Sequence, residues 1–200
     1  GAFGLWRAES GDFWLDAYAS DFLSRARAQG HSVPEGAFVR AMDNLRNRLN
    51  YASDFDIGGE DVAYALLVLA REGAAAMGDL RYYADVKAEG FATPLAAAQL
   101  GAALAAYGDQ RRADRMFARA AELLQIDYKE HPVWRADYGT HRRDAAGVLA
   151  LVVEAGSEAI SQEALSRQVT AGTDQMPTQE AAWTLLAAYA LIKNPEASGL

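Results

Sequence analysis

Apolar residues recur every three or four positions along nearly the whole chain, the spacing that lines one face of an α-helix. Phe13, Trp14, Ala17, Tyr18, Asp21, Phe22 and Arg25 follow this rhythm, and Gly30 supplies a C-terminal stop. Pro34 opens a second helix that runs through Phe38, Met42 and Leu45 to about Leu49. Asp61 to Arg71 forms a third, stopped at Gly73, and Gly78 to Ala88 a short fourth. Thr93-Pro94 places a capping hydroxyl before a proline at the first helical position, and this fifth helix ends at Tyr107-Gly108. Asp109 is expected to cap a sixth helix reaching about Leu124. A long loop with Pro132, Trp134 and Tyr138-Gly139 precedes a seventh helix, Arg142 to Glu154, ended by Gly156. Ser157 to Val169 is the eighth, and Thr178 is expected to cap a ninth that ends near Asn194-Pro195.

Helices therefore pair across short glycine-bearing turns, with pairs starting near residues 12, 60, 94, 142 and 178. The odd-numbered helices are apolar nearly all round (Val62 to Ala70, Leu95 to Ala106, Val148 to Val153, Trp183 to Ile192), which predicts that each is enclosed. The even-numbered helices carry Arg and Asp stripes and face water. The fold class is all-α, an irregular array of αα-hairpins with an inner and an outer layer. An open solenoid and a closed α/α toroid both satisfy that pattern. Tyr107-Gly108-Asp109, Ala113 and Ala118-Arg119-Ala120 have the local spacing of a tetratricopeptide motif, without a second copy about 34 residues away.

Two hundred residues suit a single helical domain over 1–200. The net charge of -8 argues against a nucleic-acid surface. Arg111, Arg112, Arg115 and Arg119 share one helix face with Asp114 beside them, as a solvated outer face would. The chain has no cysteine, which excludes disulfides and thiolate metal sites. His31, His131 and His141 stand apart from one another and form no metal-ligand pattern, so neither a metal nor a cofactor is expected. No serine-hydrolase elbow or phosphate loop occurs. No apolar run approaches the roughly 18 residues that span a bilayer, and no signal peptide opens the chain.

Several ordered pieces resemble one family. They are Gly1-Ala-Phe-Gly-Leu-Trp6, Trp14-Leu-Asp-Ala-Tyr18, Gly58-Gly59-Glu60-Asp61 leading into Tyr64, and Thr93-Pro94-Leu95 with Gln99-Leu100-Gly101. Tyr138-Gly139 with Arg143-Asp144, and Thr178-Gln179-Glu180 with Trp183, complete the set. In order and spacing these resemble the thioester domain of bacterial alpha-2-macroglobulin-like protease inhibitors, relatives of the complement thioester proteins. The resemblance implies an α/α toroid of helical hairpins. It also implies an incomplete ring of about nine helices, because the family's Cys-x-Glu-Gln motif lies upstream of the Gly-x-Phe-Gly-x-Trp segment.

The implied function is that of a scaffold segment in a broad-spectrum protease trap of the cell envelope or periplasm, with target proteases as partners and no catalysis of its own. In such a ring the N-termini of the inner helices share one rim, where free N–H groups and helix dipoles favour negative charge. Trp6, Trp14, Tyr18, Tyr51, Phe55, Tyr138 and Met176 are the candidate rim residues, placed to shield a hydrolysable acyl group or simply to cap the core. Some complement relatives carry a histidine before the Gly-Gly pair. Here Asn50 to Asp56 contains none, which implies direct attack by amines such as protease lysines.

Two other classes share this pattern. A carbohydrate enzyme on an α/α toroid would use paired carboxylates drawn from Asp12, Asp56, Glu60, Asp61, Asp174 and Glu180, residues equally suited to capping helices. A helical-repeat interaction module would present an open groove. An incomplete ring is also expected to bare apolar surface, giving a homodimer or a rearranged edge at residues 1–20 or 175–192.

Overall fold

The computed structural model describes residues 2–3, 11–126, 135–171 and 175–194. Among them the chain forms nine α-helices: α1 (Phe13–Ala28), α2 (Glu35–Asn50), α3 (Glu60–Arg71), α4 (Met77–Val86), α5 (Pro94–Ala106), α6 (Gln110–Leu124), α7 (His141–Ala155), α8 (Gln162–Thr170) and α9 (Thr178–Lys193). A 3-10 turn at Ala88–Gly90 precedes α5, and a lone bridge between Gly58 and Phe91 is the sole β-type pairing described. The fold is all-α and toroid-like.

The two layers follow from burial. Helices α1, α3, α5, α7 and α9 pack each against the next; α2, α6 and α8 pack on their hairpin partners α1, α5 and α7, while α4 packs on α5 and α6. Helix α5 is buried on nearly every side, so it carries no polar stripe; α6 turns Ala113, Met116, Phe117 and Ala120 inward and its arginines outward. Gly101 marks the closest approach within that hairpin, since a Cβ there would stand 3.2 Å from the Ala113 carbonyl oxygen.

Most helix ends match the turn chemistry. Gly30, Gly73, Gly108 and Gly156 take positive φ just past α1, α3, α5 and α7, and Thr93 accepts from the Ala96 N–H. Three ends differ. Asp109 gives no capping bond because its carboxylate is held by Arg112 and Arg81. Thr178 is already inside α9, behind Pro177. Helix α8 starts at Gln162 with Ser161 as cap, because the Ser157 hydroxyl is turned to Asp114 at 2.7 Å.

Two layer expectations are corrected. Helix α1 buries a polar stripe, Asp16, Ser20, Asp21 and Ser24, while Phe22 is exposed. Helix α9 is not enclosed: Leu185 and Ile192 are 71% and 76% exposed, beside a partly exposed Tyr189. Helices α1 and α9 thus flank an apolar trough of about 630 Å³, lined by Phe22, Ala26, Val33, Ala182 and Leu186 and floored by Tyr64 and Trp183. A hydrogen bond from Gln29 to the Tyr189 hydroxyl, 2.9 Å, spans it at one end.

Candidate functional site

Five inner-helix N-termini meet on one face. The Gly58–Phe91 bridge ties the start of α3 to that of α5. The Thr140 hydroxyl accepts the Arg143 N–H at the start of α7 and donates to Glu180 at the start of α9, 2.5 Å away. Asp12 caps α1 through the Leu15 N–H, and its other oxygen receives the Tyr138 hydroxyl at 3.2 Å. Loops 51–59 and 135–140 lie on the same face.

Aromatic rings fill the middle of this face. Trp14 stacks on Tyr18 with centroids 5.2 Å apart and planes 10° apart, and meets the edge of Tyr138 at 5.6 Å. Tyr64 of α3 joins Trp14 at 5.9 Å and Trp183 of α9 at 6.2 Å, so rings from α1, α3, α9 and the 135–140 loop form one cluster. Tyr138 covers the cluster from outside, 64% exposed, with a left-handed backbone of φ 52°.

That strained residue is held from below by buried charge. Arg135 bonds Asp137 at 2.7 and 2.9 Å and Asp144 at 2.9 Å. Arg143, fully buried, reaches Asp137 at 2.5 Å and Asp144 at 3.0 Å. Burial would raise the Asp137 carboxyl, but hydrogen bonds and charge from Arg135 and Arg143 bring it below the usual range. Burial prevails at Asp144 and keeps its carboxyl raised against the same two arginines. Gly139 is required here because a Cβ would overlap both guanidinium groups.

Glu60, 5% exposed, sits at the first turn of α3 behind Gly58-Gly59. Burial pushes its carboxyl up to about 7 against a bond from its own N–H, with Asp137 adding to the rise, and one of its oxygens has no protein partner.

The opposite face is fastened differently. Glu154 at the end of α7 bonds Arg25 of α1 at 2.9 Å and Arg71 of α3 at 2.8 Å. Both arginines also bond Asp21, which receives the Tyr64 hydroxyl at 2.9 Å. Burial would raise Asp21, but Arg71 and Arg25 hold it below its ordinary value.

The candidate rim residues separate into groups. Trp14, Tyr18 and Tyr138 come together. Phe55 belongs to a second cluster, stacked on Tyr83 at 6.0 Å and against Phe91 at 5.2 Å, where its ring packs under Gly59. Tyr51 stands 88% exposed and Met176 38% exposed, both at the edge of the face. Trp6 lies outside the described residues, as do His131 and Asp174. The cluster members not among the candidate rim residues are Tyr64 and Trp183. Both sit inside apolar helical runs, where an aromatic reads as core, and only the Tyr64–Asp21 bond marks a polar role. Asp61 accepts its neighbour's N–H at 2.8 Å, as a helix-start carboxylate does. No group of His, Cys, Asp and Glu able to hold a metal occurs among the described residues. No helix among them is long and apolar enough to cross a membrane.

The chain is 37% identical over 165 residues to alpha-2-macroglobulin of Escherichia coli K12, covering 77% of the chain and 10% of that protein. It is 27% identical to the alpha-2-macroglobulin of Xylella fastidiosa over 93% of the chain and 12% of the relative. The chain thus spans about a tenth of the length of the curated relatives it matches. In structure it superposes on the native E. coli alpha-2-macroglobulin with a TM-score of 0.81, 32% identity, 95% coverage of the chain and 12% of the other. On a Salmonella alpha-2-macroglobulin reacted with methylamine the TM-score is 0.79 at 33% identity, covering 94% of the chain and 13% of the other. No family model matches the chain.

Proposed function

Because this chain is a homologue of one segment of the bacterial alpha-2-macroglobulins, we propose that it is the scaffold part of the thioester domain in a protease trap of the cell envelope. Residues 1–200 act as one unit in this reading, and target proteases are engaged by the longer protein.

The observation that carries the reading is the aromatic cluster at the shared N-terminal face. An acyl group held there would lie among Trp14, Tyr18, Tyr64 and Tyr138, which exclude water from a hydrolysable bond. The N–H groups at the starts of α1, α3, α7 and α9 would polarise its carbonyl. The Arg135–Asp137–Asp144–Arg143 cluster would position Tyr138 without touching the acyl group. The trough between α1 and α9 is the space in which a further inner helix would complete the ring. The reacting nucleophile would be an amine, in line with the methylamine-reacted Salmonella relative.

The test uses the full-length protein that contains this segment. Methylamine is expected to release one thiol per chain, and trypsin added to untreated protein is expected to appear in a covalent adduct on a denaturing gel. Absence of both the thiol and the adduct would remove the covalent reading.

A further inference from the structure

The chain holds 19 cationic residues, and 16 of them are arginine. Its three lysines are Lys87, Lys129 and Lys193. Arginine stays protonated at any physiological pH and offers no lone pair for acyl transfer, whereas a lysine that loses its proton is a good nucleophile. Lys193 ends α9, at the face opposite the aromatic cluster, and Lys129 lies outside the described residues. Lys87 alone among the described lysines stands on the N-terminal face, between α4 and the Gly58–Phe91 bridge.

Lys87 is bound on two sides. Its ammonium donates to Asp54 at 2.7 Å and to the Phe55 carbonyl oxygen at 3.0 Å, and lies 5.9 Å from the Phe55 ring centroid. Its side chain is only 15% exposed. The hydrogen bond it donates to Asp54 holds its pKa above the ordinary lysine value, with Tyr82 and Asp56 adding to the effect. Most other cations of the inner face are arginines in ion pairs: Arg135, Arg142 and Arg143.

We propose that Lys87 is a masked amine: Asp54 and the Phe55 carbonyl hold it as a bound ammonium, so that, among the described residues, the N-terminal face presents no free lysine amine to an acyl group placed there. The functional sense of this rests on the thioester reading above. Acyl transfer needs the amine lone pair to attack the carbonyl carbon, a new C–N bond to form as the C–S bond breaks, and the amine proton to leave as the thiolate departs. A lysine held as ammonium lacks that lone pair. Acylation of Lys87 is thereby suppressed, which leaves the reactive group to lysines of an attacking protein rather than to this neighbour. Asp54 acts as a positioning residue and touches no substrate.

The test supplies its own acyl group, so it stands apart from whether the parent carries a thioester. The chain is exposed to phenyl thioacetate at pH 8, and acetylation of each lysine is followed by peptide mass spectrometry, with Lys193 as the internal reference. Lys87 is expected to react several-fold more slowly than Lys193. Asp54→Asn, a change in an exposed loop residue, is expected to bring Lys87 up to the Lys193 rate while Lys193 itself is unaffected. Lys87→Arg checks the assignment by removing the Lys87 peptide signal and leaving the fold unchanged by circular dichroism. Equal rates at Lys87 and Lys193 in the unaltered chain, or an Asp54→Asn chain in which Lys87 stays slow, overturns the proposal. Failure of the full-length protein to release a thiol with methylamine would instead overturn the thioester reading and leave the masking of Lys87 standing.

Discussion

Tyr138 lies edge-on to Trp14, ring centroids 5.6 Å apart, while its own backbone occupies the left-handed region at φ 52°. A non-glycine residue there costs about 1–2 kcal/mol. The aromatic pair contributes about 0.5–1.5 kcal/mol beyond area burial. The contact and the strain therefore nearly offset each other, and the ring is kept in place by the bonds around it. Replacement separates the two effects. Tyr138→Ala loses the ring and keeps the strain, whereas Tyr138→Gly loses both. Urea unfolding is expected to rank Tyr138→Gly at or above Tyr138→Ala, with both variants altering the near-ultraviolet dichroism of Trp14. The reverse ranking would show that the backbone is unstrained at this position.

Arg143 is the most deeply buried cation described, and two carboxylates depend on it. Replacing it by Met leaves Asp137 and Asp144 with Arg135 alone. Breaking a buried pair in this way costs about 3–5 kcal/mol. Arg143→Met is expected to lower the urea midpoint accordingly, and Gly139→Ala to be similarly harmful, because its methyl would occupy the space of both guanidinium groups. A midpoint shift within error for Gly139→Ala would mean that the arginines move aside freely.

Glu60 predicts a pH dependence of stability. Its carboxyl is raised from 4.5 to about 7 by burial, so the folded state holds a proton that the unfolded state releases. Its stabilising contribution is fully present below pH 4.5 and is lost as pH rises through about 7. The change is on the order of 3 kcal/mol, since each pKa unit corresponds to about 1.4 kcal/mol. Glu60→Gln, which stays neutral, is expected to flatten this part of the stability profile measured by chemical denaturation. A profile of unchanged slope in the variant assigns the dependence to another group.

The bare side of α9 predicts self-association. Leu185 and Ile192 project away from the core, with Phe22 exposed on the other side of the trough. Contiguous apolar surface of several hundred Å² is seldom left uncovered on a monomer. Light scattering at micromolar concentration is expected to show dimers, and Leu185→Glu with Ile192→Glu to yield monomers of similar thermal stability. A monomer across that range in the unaltered chain would contradict the expectation.

The helices were legible because their stops and starts use local chemistry: glycines at positive φ and the Thr93-Pro94 cap. The inward polar stripe of α1 was not. Asp16 and Asp21 are buried only because Asn44, Arg48, Tyr64 and Arg71, 28 to 50 residues away, meet them. Local spacing puts Asp21 and Phe22 in one apolar rhythm, and only these distant partners decide that Asp21 turns inward while Phe22 faces out. The candidate site was legible in part for the same reason. Trp14 and Tyr18 are one turn apart and must stack, but nothing local announces that Tyr64 and Trp183 approach from other helices. Phe55 stands on the loop before Gly58-Gly59, but its ring turns toward Tyr83 and Phe91 because the left-handed Gly59 leaves room for it.

The joint at Glu154 gives the molecule a directional response to its solvent. Arg25, Arg71 and Glu154 are partly wetted, so dissolved ions compete for them. In the arginine–aspartate cluster beneath Tyr138, Arg143, Asp137 and Asp144 are buried, and electrolyte reaches only the edge of Arg135. Rising ionic strength should therefore slacken the helix tails first and leave the aromatic end closed, so that amide exchange quickens at the end of α1, α3 and α7 before it quickens at their beginnings. A salt gradient would in this way open the barrel from its base, with the mouth as the last part to yield.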